Sequence, residues 1–215
     1  AFNTLFPNNP LQQSDIISTW AGIRPVIASE NSKNPSKERR NHAVWSDHGL
    51  ITVSGGKLTT FRLIALDALA VAKPLLPEAQ PFTNDHVFTA PTIDAKTLVP
   101  NNPAWGQRLL GRYGDMAGTI LAAGSDQEHS LIGDTEFCLA ECRWAVRHES
   151  VQHLDDLMLR RTRLGMCLAN GGEAILPEIK AICCAELDWT DALWDEELAR
   201  YKTIWKQFYF FGINH

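Results

Sequence analysis

The spacing of hydrophobic and polar positions changes along the chain. Before residue 75, β-branched and aromatic residues stand in short runs that predict strands and turns. After residue 103, apolar residues recur every three to four positions, which predicts helices. The stretch between them is rich in proline, asparagine and threonine, and residues 76–91 predict a linker. We therefore expect an α+β protein with one domain in residues 1–75 and an all-helical domain in residues 92–215.

Residues 1–75 predict a strand, a hairpin and a helix, in that order. β-branched and aromatic residues at 15–27 predict an extended strand, with a bulge or edge at its Gly and Pro residues. The polar residues 28–38 predict a surface loop. Residues 42–45 and 50–53 predict a hairpin around a Ser-Asp-His-Gly turn. Apolar positions over residues 63–70 then predict a helix with one apolar face.

The spacing in residues 92–215 predicts six helices, the first five of them starting near residues 103, 116, 136, 151 and 177. The sixth is the clearest, because apolar residues recur at i, i+4, i+7, i+11 and i+14: Trp194, Leu198, Tyr201, Trp205 and Phe208. Such a stripe is typical of the buried side of a helix bundle, although a cofactor-binding or partner-binding face has the same spacing. The aromatic residues 209–213 fit packing on that bundle, contact with another subunit or contact with a membrane surface.

Charge is distributed unevenly over the 215 residues, which carry a net charge of −5. Residues 1–75 hold eight Lys or Arg against five Asp or Glu, and the remainder holds twelve against twenty. The overall sign argues against a nucleic-acid-binding protein, while the first segment suits a small anionic ligand. No apolar run approaches the length of a membrane span. The five cysteines have no metal-site spacing, so we predict core thiols of a cytoplasmic protein and no metal, with a redox or metal role as the alternative.

The residues that suggest chemistry follow the predicted hairpin. Gly55 and Gly56 end a β-branched strand, and Lys57, Leu58 and Thr59 open the next helix. Adjacent glycines let backbone amides come close to a ligand, and the first turn of a helix offers unpaired N–H donors with a partial positive charge. With the lysine added, the turn is suited to an anionic or electron-rich group. From the residues alone, a plain strand-to-helix connection with a solvated lysine explains the same pattern.

Four segments together carry a resemblance to a known family. They are residues 19–25 (Thr-Trp-Ala-Gly-Ile-Arg-Pro), 40–42 (Arg-Asn-His), 53–62 (Val-Ser-Gly-Gly-Lys-Leu-Thr-Thr-Phe-Arg) and 160–165 (Arg-Arg-Thr-Arg-Leu-Gly) downstream of Arg-His-Glu at 147–149. In this order and spacing the chain resembles the C-terminal part of the FAD-dependent, aerobic-type glycerol-3-phosphate dehydrogenases. Asn41 departs from the family pattern, in which an Asp is common.

The resemblance implies an enzyme that oxidises sn-glycerol 3-phosphate to dihydroxyacetone phosphate by hydride transfer from C2 to the flavin. It implies that Arg24 and Arg40 bind the substrate phosphate, since a guanidinium fork matches phosphate oxygens. Lys57 is the implied catalytic residue and also a substrate ligand. Gly55, Gly56, Lys57, Leu58 and Thr59 are the implied cofactor-binding residues, because flavin reduction places negative charge at an edge that a helix start stabilises.

Several roles remain open among the other charged residues. Arg39 is an alternative to Arg40, and from the residues alone a surface ion pair is the favoured explanation of Arg24. The arginines at 160, 161 and 163 fit either helix packing or contact with an anionic lipid. His148 and Glu149 fit a packed polar network better than a catalytic pair.

The family's partners are implied in the same way. They are glycerol 3-phosphate, a quinone that accepts the electrons, and a peripheral contact with the inner face of the cytoplasmic membrane; a homodimer is compatible with the sequence. No Gly-x-Gly-x-x-Gly follows a predicted strand. We therefore expect a piece of a longer protein that neither holds FAD nor turns over substrate by itself, with the general base upstream.

Two alternatives stay open. One is a flavin amine oxidase of the same broad fold, against which two arginines placed for a phosphate argue. The other is a non-catalytic helical module for subunit contact or membrane docking, which is compatible with the enzyme interpretation.

Overall fold

The computed structural model describes residues 2–23, 42–76 and 89–212. The chain divides into two compact units, Ala1–Ala21 with Val87–His215, and Gly22–His86. The described residues of the first are called the helical unit here, and those of the second the hairpin unit. Residues 2–21, which the sequence assigned to the first domain, therefore group with the helices. The linker predicted at 76–91 lies mostly outside the described residues.

The predicted strand at residues 15–27 is wrong for its described part. The chain begins with a short helix α1 (Phe2–Leu5) and a 3₁₀ turn (Gln13–Asp15), and residues 16–23 form neither helix nor strand. The backbone N–H of Thr19 donates instead to the carbonyl of Tyr209 at 2.9 Å. A β-branched segment becomes a strand only where another strand pairs with it, and here its described hydrogen bonds go to the helical unit.

The hairpin unit contains the predicted hairpin and helix, which are confirmed. Strands β1 (His42–Asp47) and β2 (Leu50–Gly55) pair antiparallel, with His42 opposite Gly55 and Asp47 opposite Leu50. The two-residue turn is His48-Gly49, and both have positive φ, 46° and 82°. Such turns match the right-handed twist of the strands. A 3₁₀ turn (Leu58–Thr60), helix α2 (Phe61–Ala72) and a last 3₁₀ turn (Lys73–Leu75) follow.

The helical unit contains seven further α-helices among its described residues. They are α3 (Ala95–Leu98), α4 (Pro103–Tyr113), α5 (Met116–Ala123), α6 (Leu139–His148), α7 (Leu164–Cys167), α8 (Leu176–Leu187) and α9 (Asp191–Phe208), with 3₁₀ segments at Asp126–His129 and Ala169–Ile175 and a π-helix at Asp156–Arg161. Side-chain caps fix three of the starts: Asp94 accepts from the Thr97 N–H, Asn102 from the Trp105 N–H, and Thr190 from the Leu193 N–H. Among the described residues, no helix has the length and apolar character to cross a membrane.

Two predicted helix starts differ from the structure. The helix expected from residue 136 with a cap at 134–135 begins at Leu139, because residues 131–138 make a turn closed by a bridge between Leu131 and Cys138. The buried Glu141 accepts the Cys138 N–H at 3.1 Å and caps this helix from inside. The helix expected from residue 151 has π geometry from Asp156, which turns three consecutive apolar residues into the core: Leu157, Met158 and Leu159.

The core lies in the helical unit and forms two clusters. The larger joins α6, the π-helix, α7, α8 and α9, and the smaller joins α4 and α5 to the start of α6. The aromatic stripe of α9 faces the larger cluster: Trp194, Tyr201 and Trp205 are buried and Leu198 is half-buried, while Phe208 at the helix end is exposed. The bundle interpretation of this stripe is confirmed.

Three of the five cysteines behave as core residues. Cys138, Cys142 and Cys183 are buried, Cys184 is half-buried and Cys167 is exposed. Burial raises the pKa of the Cys138 thiol to about 11 and that of Cys183 to about 12, and it raises the pKa of Cys142 well above its ordinary value. Thiols that stay protonated at neutral pH are poor nucleophiles and poor metal ligands.

Candidate functional site

The Gly55-Gly56 turn connects β2 to the helical turn that precedes α2. Both residues have positive φ, 77° and 84°, in the region that glycine adopts without strain. A Cβ on Gly56 would lie 2.6 Å from Ile64 Cδ1 and 3.2 Å from His42 Cβ. The second glycine therefore lets the backbone pass close to both β1 and α2, so the turn is more constrained than an ordinary loop.

Lys57 stands at the start of the 3₁₀ turn, where one hydroxyl holds the backbone in place. The Lys57 N–H donates to Thr60 Oγ1 at 3.3 Å, and Thr60 Oγ1 donates to the Lys57 carbonyl at 2.9 Å. Lys57 is exposed, and among the described residues no carboxylate forms an ion pair with its ammonium. The positive charge is thus left available to a ligand.

Leu58 and Thr59 continue this turn into solvent. Both are exposed, Leu58 to 88%. N–H groups in the first turn of a helix have no acceptor inside the helix, and Leu58 and Thr59 occupy that turn. Together with Lys57, the helix start presents partial and full positive charge in one place. An anion or an electron-rich ring edge is the group that this arrangement suits.

A contact that the sequence did not predict joins β1 to α2 beside this turn. His42 Nε2 and Asp67 Oδ2 lie 2.6 Å apart, an ion pair when the imidazole is protonated. The His42 side chain is mostly covered, with 21% of its surface exposed, whereas the Asp67 carboxylate is 62% exposed. The pair therefore holds α2 against β1, the strand that contains His42. The spacing of 25 residues gave no local signal for it.

The predicted site residues are therefore only partly located. Gly55, Gly56, Lys57, Leu58 and Thr59 form one continuous turn, as their adjacency requires. Arg24 and Arg40, the predicted phosphate ligands, lie outside the described residues, as does Arg39. No group of three metal-ligating side chains is found within residues 2–23, 42–76 and 89–212.

The arginine-rich motif at residues 160–165 makes hydrogen bonds to other residues of the helical unit. Arg160 Nη1 donates to Asp155 at 2.5 Å and to Asp156 at 2.9 Å, and Arg200 donates to the other oxygen of Asp155 at 2.9 Å. Burial alone would raise the pKa of Asp155, but the hydrogen bonds from both arginines outweigh it and the pKa is lowered. Arg161 Nε donates to the Glu149 carbonyl at 2.6 Å. These contacts favour the packing interpretation of the motif.

Comparisons with known proteins show which family the chain is similar to. Residues 90–193 match the family model of the C-terminal domain of alpha-glycerophosphate oxidase. The chain is 31% identical over 208 residues to a glycerol-3-phosphate dehydrogenase of Mycobacterium leprae, a match that covers 90% of this chain and 35% of that protein. It is 28% identical over 205 residues to the mitochondrial glycerol-3-phosphate dehydrogenase of Bos taurus, covering 87% of this chain and 28% of that protein. No solved structure matches the chain.

These matches identify first a helical domain of the glycerophosphate oxidase type. Since the similarity continues through the hairpin segment, the chain belongs with the C-terminal part of the glycerol-3-phosphate dehydrogenase family, as its motifs predict. It spans about a third of the length of the curated relatives it matches.

Proposed function

We propose that residues 1–215 are the C-terminal part of a flavin-dependent enzyme that oxidises sn-glycerol 3-phosphate to dihydroxyacetone phosphate. The observation that carries the proposal is the similarity of 90% of the chain to proteins named for this dehydrogenase. Lys57, exposed and without an ion-pair partner among the described residues, supports it together with the constrained glycine turn. The turn offers positive charge where a phosphoester and an electron-rich ring would need it.

In this proposal the substrate is held by its charge. Arg24 and Arg40 bind the phosphate, each with a fork of N–H donors that stays charged at every relevant pH. Lys57 directs its ammonium at the substrate oxygen and stabilises the negative charge that develops as the C2 hydroxyl loses its proton. The hydride leaves C2, and the hydroxyl proton passes to a general base outside residues 1–215.

The residues Gly55, Gly56, Lys57, Leu58 and Thr59 are proposed to face the cofactor. When bound, FAD supplies the acceptor for the C2 hydride. The absence of a side chain at Gly55 and Gly56 allows a flat ring to approach the backbone. The N–H groups of Leu58 and Thr59 stabilise the negative charge that reduction brings to the ring edge. The described turn fits such a role, because its donors are exposed and have no acceptor within their own helix.

The proposed domain arrangement follows the sequence prediction except at residues 2–21, which group with the helices. Residues 22–75 complete a flavin- and substrate-binding domain of mixed α/β structure, and residues 92–215 are a helical domain attached to it. A quinone is the proposed electron acceptor, and a cytoplasmic location with peripheral contact to the membrane follows from that acceptor, since membrane quinones are lipid-soluble. A homodimer is compatible with these features.

The test is a substrate panel on the native full-length protein, with artificial electron acceptors in place of the quinone. We expect turnover of glycerol 3-phosphate, and little turnover of glycerol, which lacks the phosphate, or of amino acids. Faster turnover of an amino acid would instead support the flavin amine oxidase alternative. Arg24→Ala truncates the proposed phosphate ligand. It should lower kcat/KM by a factor that corresponds to a loss of about 2–5 kcal/mol in transition-state binding.

The isolated chain gives a second test. Residues 1–215 contain no dinucleotide fingerprint, so we expect the purified chain to show no flavin absorbance between 350 and about 500 nm and no dehydrogenase activity. A yellow, active preparation would contradict this part of the proposal while leaving the substrate assignment intact.

A further inference from the structure

A cavity of 310 Å³ opens on the helical unit beside the last turns of α9. Its walls are largely apolar and include Leu176, Tyr201, Trp205 and Phe210. Neither the four segments that carry the family resemblance nor the proposed dehydrogenase function uses these residues. The volume lies at the lower end of the range for small-molecule sites, and it admits a ligand of one or two fused rings.

The polar atoms of the cavity floor are already occupied. Tyr201 Oη donates to the Gly171 carbonyl at 2.5 Å, and Trp205 Nε1 donates to the Gly165 carbonyl at 2.7 Å. Both rings therefore present only carbon to the cavity. Phe210 stands over Trp205 with ring centroids 5.6 Å apart and planes tilted by 50°. A flat aromatic ring gains contact area and quadrupole attraction on such a surface.

Asn170, which also lines the cavity, belongs to a loop with an unusual backbone conformation that packs against the two rings. Asn170, Gly171 and Gly172 are three consecutive left-handed residues, with φ of 51°, 69° and 74°. A Cβ on Gly171 would lie 3.0 Å from Trp205 Cδ2 and 3.1 Å from Tyr201 Oη. The loop thus closes directly on the two rings, and the absence of a side chain at Gly171 allows this contact. A preformed wall lowers the cost of ordering the site when a ligand binds.

The rim of the cavity is cationic. Lys202 and Lys206 stand one turn apart on α9, and both line the opening. Lys202 Nζ pairs with Glu173 Oε1 at 3.1 Å, whereas Lys206 has no ion-pair partner in the part of the chain that the structure describes. An unpaired ammonium beside an apolar cavity attracts an anion whose remainder is apolar.

We propose that this cavity binds a small planar aromatic carboxylate, with its ring against Trp205 and Phe210 and its carboxylate at Lys206. The site is independent of the dehydrogenase assignment. The apolar floor selects the ring, the volume limits its size, and the free ammonium selects the negative charge.

The experiment titrates residues 1–215 with 2-naphthoate by isothermal calorimetry at low ionic strength. We expect one saturable site with a dissociation constant on the order of 0.1–1 mM, as the size of the ligand allows. Lys206→Gln should weaken naphthoate binding at least ~5-fold, as loss of a charge-assisted contact predicts, and should leave the binding of uncharged 2-naphthalenemethanol unchanged. Phe210→Ala should weaken both ligands.

The matched control is Lys96→Gln, which removes an exposed lysine at a helix distant in sequence and outside the cavity lining. It should bind naphthoate as the unaltered chain does. Lys206 and Phe210 are both exposed, so their substitution leaves the core intact, which circular dichroism checks. Three results overturn the proposal: no saturable binding at 10-fold above the expected constant (~10 mM), equal losses in Lys206→Gln and Lys96→Gln, or unaltered binding in Phe210→Ala.

Discussion

Ser18 donates its side-chain hydroxyl to the carbonyl oxygen of Met166 at 2.8 Å, across 148 residues of sequence. The next residue also bonds to a distant part of the chain, since the Thr19 N–H donates to the Tyr209 carbonyl. These bonds hold the segment that contains the Thr-Trp-Ala-Gly motif on the helical unit. They account for the grouping of residues 2–21 with the helices rather than with the hairpin.

The first prediction concerns this attachment. Ser18→Ala removes the donor and should lower the free energy of unfolding by about 1 kcal/mol, the usual net value of one such bond. Urea denaturation followed by circular dichroism measures the change. Ser14→Ala is the matched control, because Ser14 is exposed and its hydroxyl makes no hydrogen bond with another described residue. Equal stability of the two variants would show that the bond contributes nothing.

The second prediction separates two reasons for glycine at position 56. Gly49→Ala introduces only left-handed strain, because its φ is 82° and nothing lies within 4 Å of the new Cβ. Gly56→Ala adds a clash with Ile64 at a similar φ of 84°. We expect a loss of about 1 kcal/mol at Gly49 and at least ~1 kcal/mol more at Gly56, measured by chemical denaturation.

The Ile64 side chain gives that prediction an internal check. The clash involves Ile64 Cδ1, the far end of a flexible side chain. Shortening it in the double variant Gly56→Ala/Ile64→Val should therefore recover part of the additional loss. If the double variant is no better than the sum of the single changes, steric contact is not the reason for glycine at this position.

The third prediction is a pH dependence. Hydrogen bonds from Arg147 and Arg143 lower the pKa of Glu186, and that of Arg147 has the larger effect. Burial alone would raise this pKa, but the hydrogen bonds outweigh it and the pKa falls to about 2. The carboxylate lies 2.5 Å from a nitrogen of each arginine, and its side chain is 13% exposed. Because the pKa in the folded state is depressed, the stabilisation is present above the unfolded pKa and is lost as the pH falls from about 5 towards 2.

Glu186→Gln measures the contribution of the ionised Glu186 side chain to the free energy of unfolding. The variant should be less stable than the unaltered chain by about 1–2 kcal/mol at pH 7, a value reduced for solvent screening. The difference should shrink as the pH falls below about 5 and should approach zero only below about pH 2, where Glu186 is protonated in the folded state as well. Glu196→Gln, at an exposed position on α9, should show no such trend. A difference that stays constant with pH would remove the arginine contacts as its cause.

The sequence predicted the parts of the fold that local signals determine. The hairpin followed from the Asp and Gly signals of the turn at residues 46–49, and the buried face of α9 followed from the spacing of Trp194, Tyr201 and Trp205. The strand predicted at 15–27 is wrong over its described residues, 15–23, because a backbone partner of this segment, Tyr209, lies far away in sequence. Propensity describes a segment alone, whereas a strand also needs a neighbour.

The same division applies to the candidate site. The glycine-lysine turn is continuous in sequence, so its shape and exposure could be predicted. The His42–Asp67 contact and the Glu141 cap of α6 could not, because each depends on how separate elements pack. The π geometry at residues 156–161 was missed for a related reason. Three adjacent buried residues break the helical period, and the sequence pattern contains no separate signal for that arrangement.

The last prediction tests Lys57 in the native full-length protein. Lys57→Gln keeps a polar side chain, one atom shorter, and removes the charge. In the proposed mechanism that charge stabilises the transition state more than the bound substrate, so kcat should fall by about 10²–10³ while KM changes less. Steady-state kinetics with glycerol 3-phosphate and an artificial electron acceptor measure both constants.

Lys73→Gln is the matched control for this change. Lys73 is exposed at the far end of α2, away from the glycine turn, and its loss alters the net charge of the unit equally. It should leave both constants within about 2-fold of the unaltered enzyme, since surface charges away from a site act weakly through solvent. If the two variants behaved alike, the charge at Lys57 would act only through the overall field, and the turn would lose its proposed catalytic role.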